Sequence, residues 1–193
     1  MAEPFDKVAA MDALAALPLE RSNGELAAYW FAHWRGGALP QRLSILPGKL
    51  RAFLPNVVLF NVVPDESVTV RLAGTRSMHI FGLHAASGED WIAGAADDNR
   101  AARLKRFSRI ARGAIAVETL RLPSRDGDDY AAQEMLLPFA PDADGIVAVL
   151  AHVHLRLDRY LKVEPLTTAS EPADVRILAL KPDEAPTAAV AVA

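Results

Sequence analysis

Cysteine is absent from the 193 residues. That removes disulfides, thiolate-bound zinc, iron–sulfur clusters and a thiol nucleophile together. It also fits a reducing compartment. Long apolar runs are missing as well. No stretch reaches the roughly 18 consecutive apolar residues of a transmembrane helix. The opening MAEPFDKVAAMDALAALPLE is broken by Glu3, Asp6, Lys7 and Asp12, so it lacks the basic start and apolar run of a secretory signal. A cytoplasmic location is the expectation. Neither charge sign dominates: 21 Lys and Arg stand against 24 Asp and Glu, a net charge of −3. That balance gives no general attraction to nucleic acid or anionic membrane. Gly36-Gly37 and Ser87-Gly88 precede no Lys-Ser/Thr helix start, so there is no phosphate loop. No serine sits in a nucleophile-elbow context.

What is present is ordinary globular composition, 51% hydrophobic and 23% charged, which implies one domain with extensions. The expected division is an N-terminal arm over 1–22, a domain over 23–156 and a C-terminal extension over 157–193. The arm reads as a weak, loosely attached helix from Val8 to Leu17, ended by Pro18. Ser22 or Asn23 then caps a helix over about Glu25 to Arg35, which stops at Gly36-Gly37. Its Leu26, Tyr29, Trp30 and Trp34 make a wide aromatic face, read either as core or as a self-association and partner face. A short helix over Gly48 to Phe53 is expected to stop before Pro55.

The next stretch, Leu54 to Trp91, carries two strands, Val57–Val63 and Val68–Ala73. Strict alternation turns Val68, Val70 and Leu72 inward and Thr69 and Arg71 outward. Gly74 permits a corner and Thr75 caps the helical turn that ends at Gly82. Gly88 and Trp91 mark the next corner. The clearest helix starts at Asp97-Asp98 and ends at Gly113, with an apolar stripe of Leu104, Phe107 and Ala111. Its other face is basic: Arg100, Arg103, Lys105, Arg106, Arg109 and Arg112. That face reads as solvated, or as a seat for a phosphate or cyclic nucleotide. Three strands follow, Ala114–Pro123, Tyr130–Phe139 and Ile146–Leu155, joined by Asp-Gly turns at 126–129 and 142–145. Asp158–Val163 reads as a short helix. Val175–Leu180 reads as one edge strand or a partner-binding segment.

The order of elements, together with Tyr29-Trp30, Leu39-Pro40, Leu54-Pro55-Asn56-Val57, Val70-Arg71-Leu72-Ala73-Gly74-Thr75 and Leu136-Leu137-Pro138, resembles a family of short bacterial single-domain PAS proteins. The resemblance covers about residues 25–155. It implies an α+β fold, a PAS-like five-stranded antiparallel sheet with helices on one face, preceded here by an N-terminal helical extension. It also implies a sensory or regulatory module without enzymatic activity, acting in trans on another signalling protein, or as a homodimer, with a small apolar ligand in its pocket. Leu72, Met78, Phe81, Trp91, Leu104 and Phe107 are the expected pocket lining.

Chemistry is constrained further. A flavin photoadduct needs a cysteine and is excluded. Haem needs an axial ligand, most often histidine. The long helix has none, which leaves His79 and His84 on the preceding elements. His152 and His154 share one strand face about 7 Å apart, as a metal pair could. Strand parity turns them away from the pocket and under the aromatic helix, with no third ligand evident. Asp126–Asp129 lacks the downstream glutamate of a calcium loop. The expectation is therefore no cofactor and no metal. The alternative is a haem- or metal-binding sensor; the second is a small α+β enzyme, which would have to work with His79, His84 and Glu89.

Overall fold

Apolar-rich runs over 57–63, 67–73, 114–122, 130–138 and 147–154 make strands that must bury one or both faces. The computed structural model describes residues 6–35, 38–45, 48–83, 88–93, 97–124, 127, 129–155, 163 and 172–180. The expected short helix over 158–163 lies outside them except for the buried Val163, which bridges Ser124. The strands are β1 (Val57–Val63), β2 (Ser67–Ala73), β3 (Ala114–Leu122), β4 (Tyr130–Pro138), β5 (Val147–His154) and β6 (Asp174–Ala179). They form one antiparallel sheet in the order β2-β1-β5-β4-β3-β6. The strand at 174–179 thus adds a sixth member by pairing with β3 at the edge.

Among the described residues four α-helices cover the sheet: α1 (Lys7–Ala15), α2 (Arg21–Ala32), α3 (Thr75–Phe81) and α4 (Asp97–Ala111). α3 and α4 pack on an inner face built of Val58, Phe60, Val149 and Leu136. The N-terminal extension covers part of the outer face, where Trp30, Trp34, Met135 and Leu137 form a second core.

Several expectations change. α1 is not loosely attached: Ala10 and Leu14 are buried, and Lys7 Nζ donates to the Trp34 carbonyl at 2.9 Å. α2 begins at Arg21, so Ser22 and Asn23 lie within its first turn and are not caps. Their side chains bond to the sheet, which outweighs capping. Residues 48–53 form turns, and Pro55 lies within a 3-10 turn over Leu54–Asn56. At the start of that turn its missing N–H costs nothing.

Gly74 has φ −73, and it is Gly74 that occupies the cap position of α3, not Thr75. Its glycine serves close approach: an added Cβ would lie 1.9 Å from the Leu54 carbonyl oxygen. Gly82 ends α3 in the left-handed region at φ 62. The β1–β2 turn is tied to α4, because the Asp65 N–H donates to Ser108 Oγ at 2.7 Å and Arg112 pairs with the Asp65 carboxylate.

Alternation fails at one place in β2. Leu59 pairs with Leu72 and Phe60 with Val70, so Arg71 is an extra residue at a β-bulge. A bulge reverses the parity beyond it. Val68 and Val70 are buried inward as expected, but Leu72 turns to the outer face and is 53% exposed.

Candidate functional site

The inner face carries two carboxylates among apolar neighbours. On β3, Glu118 shares its side with Ala116, Leu120 and Leu122; on β4, Glu134 shares its side with Ala132 and Leu136. The register sets Glu118 directly opposite Glu134. Both are buried. Like charges directly opposite in a sheet destabilise it, and unpaired buried charges cost more still.

α4 supplies the compensation. Residues 103, 106, 107 and 110 recur on one helical face, so Arg103 and Arg106 arrive with Phe107 and Ile110. Arg106 Nε lies 3.0 Å from Glu118 Oε1, with side chains 13% and 3% exposed. Arg103 is buried beside them. The Glu134 carboxyl is pushed up to about 8, first by burial and then by the Glu118 charge, against the pull of Arg106 and Arg103. It therefore keeps its proton near neutrality, while Glu118 is the ionised partner of Arg106.

Aromatic rings close the rest. Phe60 lies 5.1 Å from Phe107 and 5.6 Å from Trp91, and Phe81 lies 5.1 Å from Trp91. Phe81, Trp91, Phe107, Leu120, Leu136 and Pro172 surround the two glutamates and two arginines, with a void of only about 30 Å³.

Of the expected lining residues, Phe81, Trp91 and Phe107 meet here, and Met78 and Leu104 pack half-buried against the same core. Leu72 does not, because the bulge sends it to the opposite face. The expected partner face is core: Leu26, Trp30 and Trp34 are buried, Tyr29 is half-buried, and Trp30 Nε1 donates to the Pro138 carbonyl at 2.9 Å. The basic helix face is not simply solvated. Besides Arg103 and Arg106, Arg100 pairs with Asp90 at 3.4 Å and Arg112 with Asp65. Only Lys105 and Arg109 remain exposed without such a partner among the described residues. The phosphate reading thereby loses most of its cations.

His79 sits on α3 and Glu89 beside β2, where its carbonyl accepts from the Val70 N–H at 2.8 Å; His84 lies outside the described residues. His152 and His154 do face outward beneath α2. Asn23 Nδ2 donates to the Gln133 backbone carbonyl and to Gln133 Oε1, which leaves Asn23 Oδ1 as an acceptor. His152 therefore donates from Nδ1 to it at 2.6 Å. Burial, and then His154, lower His152 to about 4, so the ring is neutral. His154 Nδ1 meets Ser22 Oγ at 2.8 Å. Its Nε2 lies 3.3 Å from Glu20 Oε2. Among the described residues no cluster of three or more His, Asp or Glu is arranged to hold a metal ion.

Glu118 and Glu134 are not among the residues expected from the sequence. A signal was there: each is a lone carboxylate at a strand position whose i±2 neighbours are apolar. A buried carboxylate requires a cation, and α4 carries two arginines beside its apolar stripe.

A five-strand antiparallel core in the order β2-β1-β5-β4-β3, with two helices between β2 and β3 folded over one face, defines a PAS-type sensory fold. The sequence comparison agrees. A family model described as PAS domain matches residues 19–153, and the chain belongs to that family. Its domains are sensory and regulatory modules of signal transduction, typically not enzymes. No curated protein matches the chain. No helix among the described residues is long and apolar enough to cross a membrane.

Proposed function

We propose that this chain is a cytoplasmic regulatory module that acts in trans, by contact with another signalling protein. One observation carries the reading: α4 is joined to the sheet by a buried Arg–Glu cluster as well as by apolar packing. A regulatory fold needs an element whose position can be biased. Breaking a buried ion pair costs several kcal/mol, so α4 resists small displacements and has a distinct alternative only when the pair is rearranged. Pro172 borders the cluster and β6 pairs with β3 alongside it, which gives α4 a route to the C-terminal strand.

Beneath α4 the described residues leave a void of about 30 Å³, so a small apolar ligand would have to displace α4 or a ring to enter there.

The test is reconstitution. Tagged chain recovered from its own cells should bring down a signalling protein, and purified chain should change that protein's activity in a saturable way. Glu118→Ala should alter the regulation. A partner whose activity is indifferent to saturating chain would overturn the reading.

A further inference from the structure

The outer face is only partly covered by α1 and α2. Over β2, β1 and β5 it carries a concave groove of about 300 Å³, at the small end of the range for ligand sites. Leu59, Leu72 and Leu150 form one row of its floor, since Leu59 pairs with both of the others. Val57 extends the floor, while Ile45 and Leu50 wall it from the covering loop. Leu54 and Leu72, at 38% and 53% exposed, are two of the few large apolar side chains the described surface leaves in water.

The floor changes character one step along the strands. Next to Leu59 and Leu150 on the same face come Asn61 and Ala148, which line an adjoining recess of about 110 Å³ with Arg71, Arg42 and Gln41. Arg42 lines both spaces. Neither Arg42 nor Arg71 has an ion-pair partner among the described residues. Asp142 also lines the recess, but its Oδ1 accepts from the N–H groups of Asp144 and Ile146 at 3.1 and 2.9 Å. Two arginines against one carboxylate leave the recess with a single positive charge.

We propose that this outer face binds an amphipathic monoanion, an aliphatic chain of medium length with one acidic head. The chain lies along Leu59, Leu72 and Leu150, where it covers apolar surface now in water. The head lies over Asn61 between Arg42 and Arg71, where a guanidinium can bind a carboxylate in bidentate fashion. The bulge at Arg71 makes both halves, because it places an arginine and a leucine from adjacent positions toward the same side. The site is separate from the cluster beneath α4 and stands whether or not the chain acts in trans.

Calorimetric titration of the full chain with decanoate, decanol and decylamine, each kept below its aggregation concentration, tests this. Decanoate should bind saturably at one site. Leu72→Asp, at an exposed position, should weaken it by about tenfold or more with an unchanged melting temperature. Arg42→Glu with Arg71→Glu should reduce decanoate binding to the level of decanol. Absence of saturable decanoate binding overturns the proposal, as does decylamine binding as tightly as decanoate. If Leu72→Asp leaves decanoate binding intact but lowers the oligomeric mass, the groove is a contact between copies and the ligand site is wrong.

Discussion

The two faces of the sheet solve the burial of polar groups differently. On the inner face the polar groups are ionisable: Glu118, Arg103 and Arg106 lie together with the protonated Glu134 between β3, β4 and α4. On the outer face they are neutral: Asn23, Gln133 and His152 form a hydrogen-bonded chain beneath α2. A neutral network that loses a member leaves an unpaired dipole, which costs less than an unpaired charge, so it suits a fixed attachment. A charged cluster transmits the loss of one member to the rest, because each charge is tolerable only beside its opposite. The outer network anchors the segment before the family's strands. Gln133 also accepts from the Glu20 N–H and donates to the Pro18 carbonyl. The inner cluster ties a helix to a sheet across which a signal would have to pass.

The largest expected effect is on the inner face. Glu118→Ala should cost about 3–5 kcal/mol, because Arg106 is left buried without its carboxylate. Urea unfolding measures it. A cost under about 1 kcal/mol would mean the pair behaves like a surface one and the contrast between faces fails.

Acid and base act on the two faces in opposite senses. The folded pKa of Glu134, about 8, lies above its ordinary 4.5. Its contribution is therefore complete below 4.5 and is lost as the pH rises through about 8. The folded pKa of His152, about 4, lies below its ordinary 6.5. Its contribution is present above 6.5 and is lost as the pH falls toward about 4. Between 4.5 and 6.5 the slopes oppose each other; above 6.5 only the decline from Glu134 remains. That decline has a ceiling of about 1.4 kcal/mol per pH unit for one proton. The melting temperature should fall from neutral toward alkaline pH in the wild type and hold steady in Glu134→Gln. An equal fall in both would show that Glu134 does not carry the proton.

The outer network should be the milder of the two. Asn23→Ala leaves the His152 Nδ1–H without its acceptor, at a cost of about 1–3 kcal/mol. Amide exchange in α2 and at Glu20 should quicken while β3 stays protected. Quickening spread evenly over the sheet would show that the two faces are not independent.

Much of this could be read from the chain. The strands at 57–63, 114–122, 130–138 and 147–154 follow from β-branched runs and Asp-Gly turns, with ends within two residues of those expected. The outward turn of His152 and His154 followed from parity, because no bulge interrupts β5. The inner lining of Phe81, Trp91 and Phe107 followed from helix and corner positions. Leu72 was misplaced for one reason: a single extra residue in β2 reverses every side chain beyond it, and nothing in Val70-Arg71-Leu72 marks that residue as extra. The aromatic helix left core and interface open, since a stripe of Trp and Leu satisfies either.

Sequence alone determined the five central strands, the long helix, the antiparallel hairpins and the exclusion of thiol and disulfide chemistry, because these depend on local periodicity, turn residues and composition. Tertiary structure decided which charges are buried and where the sheet's parity breaks. Glu118 acquires its meaning from Glu134 across the ladder and from Arg106 on a helix that precedes both in the chain. Such a cluster forms only when distant segments meet, and the energy of a charge depends on what it meets.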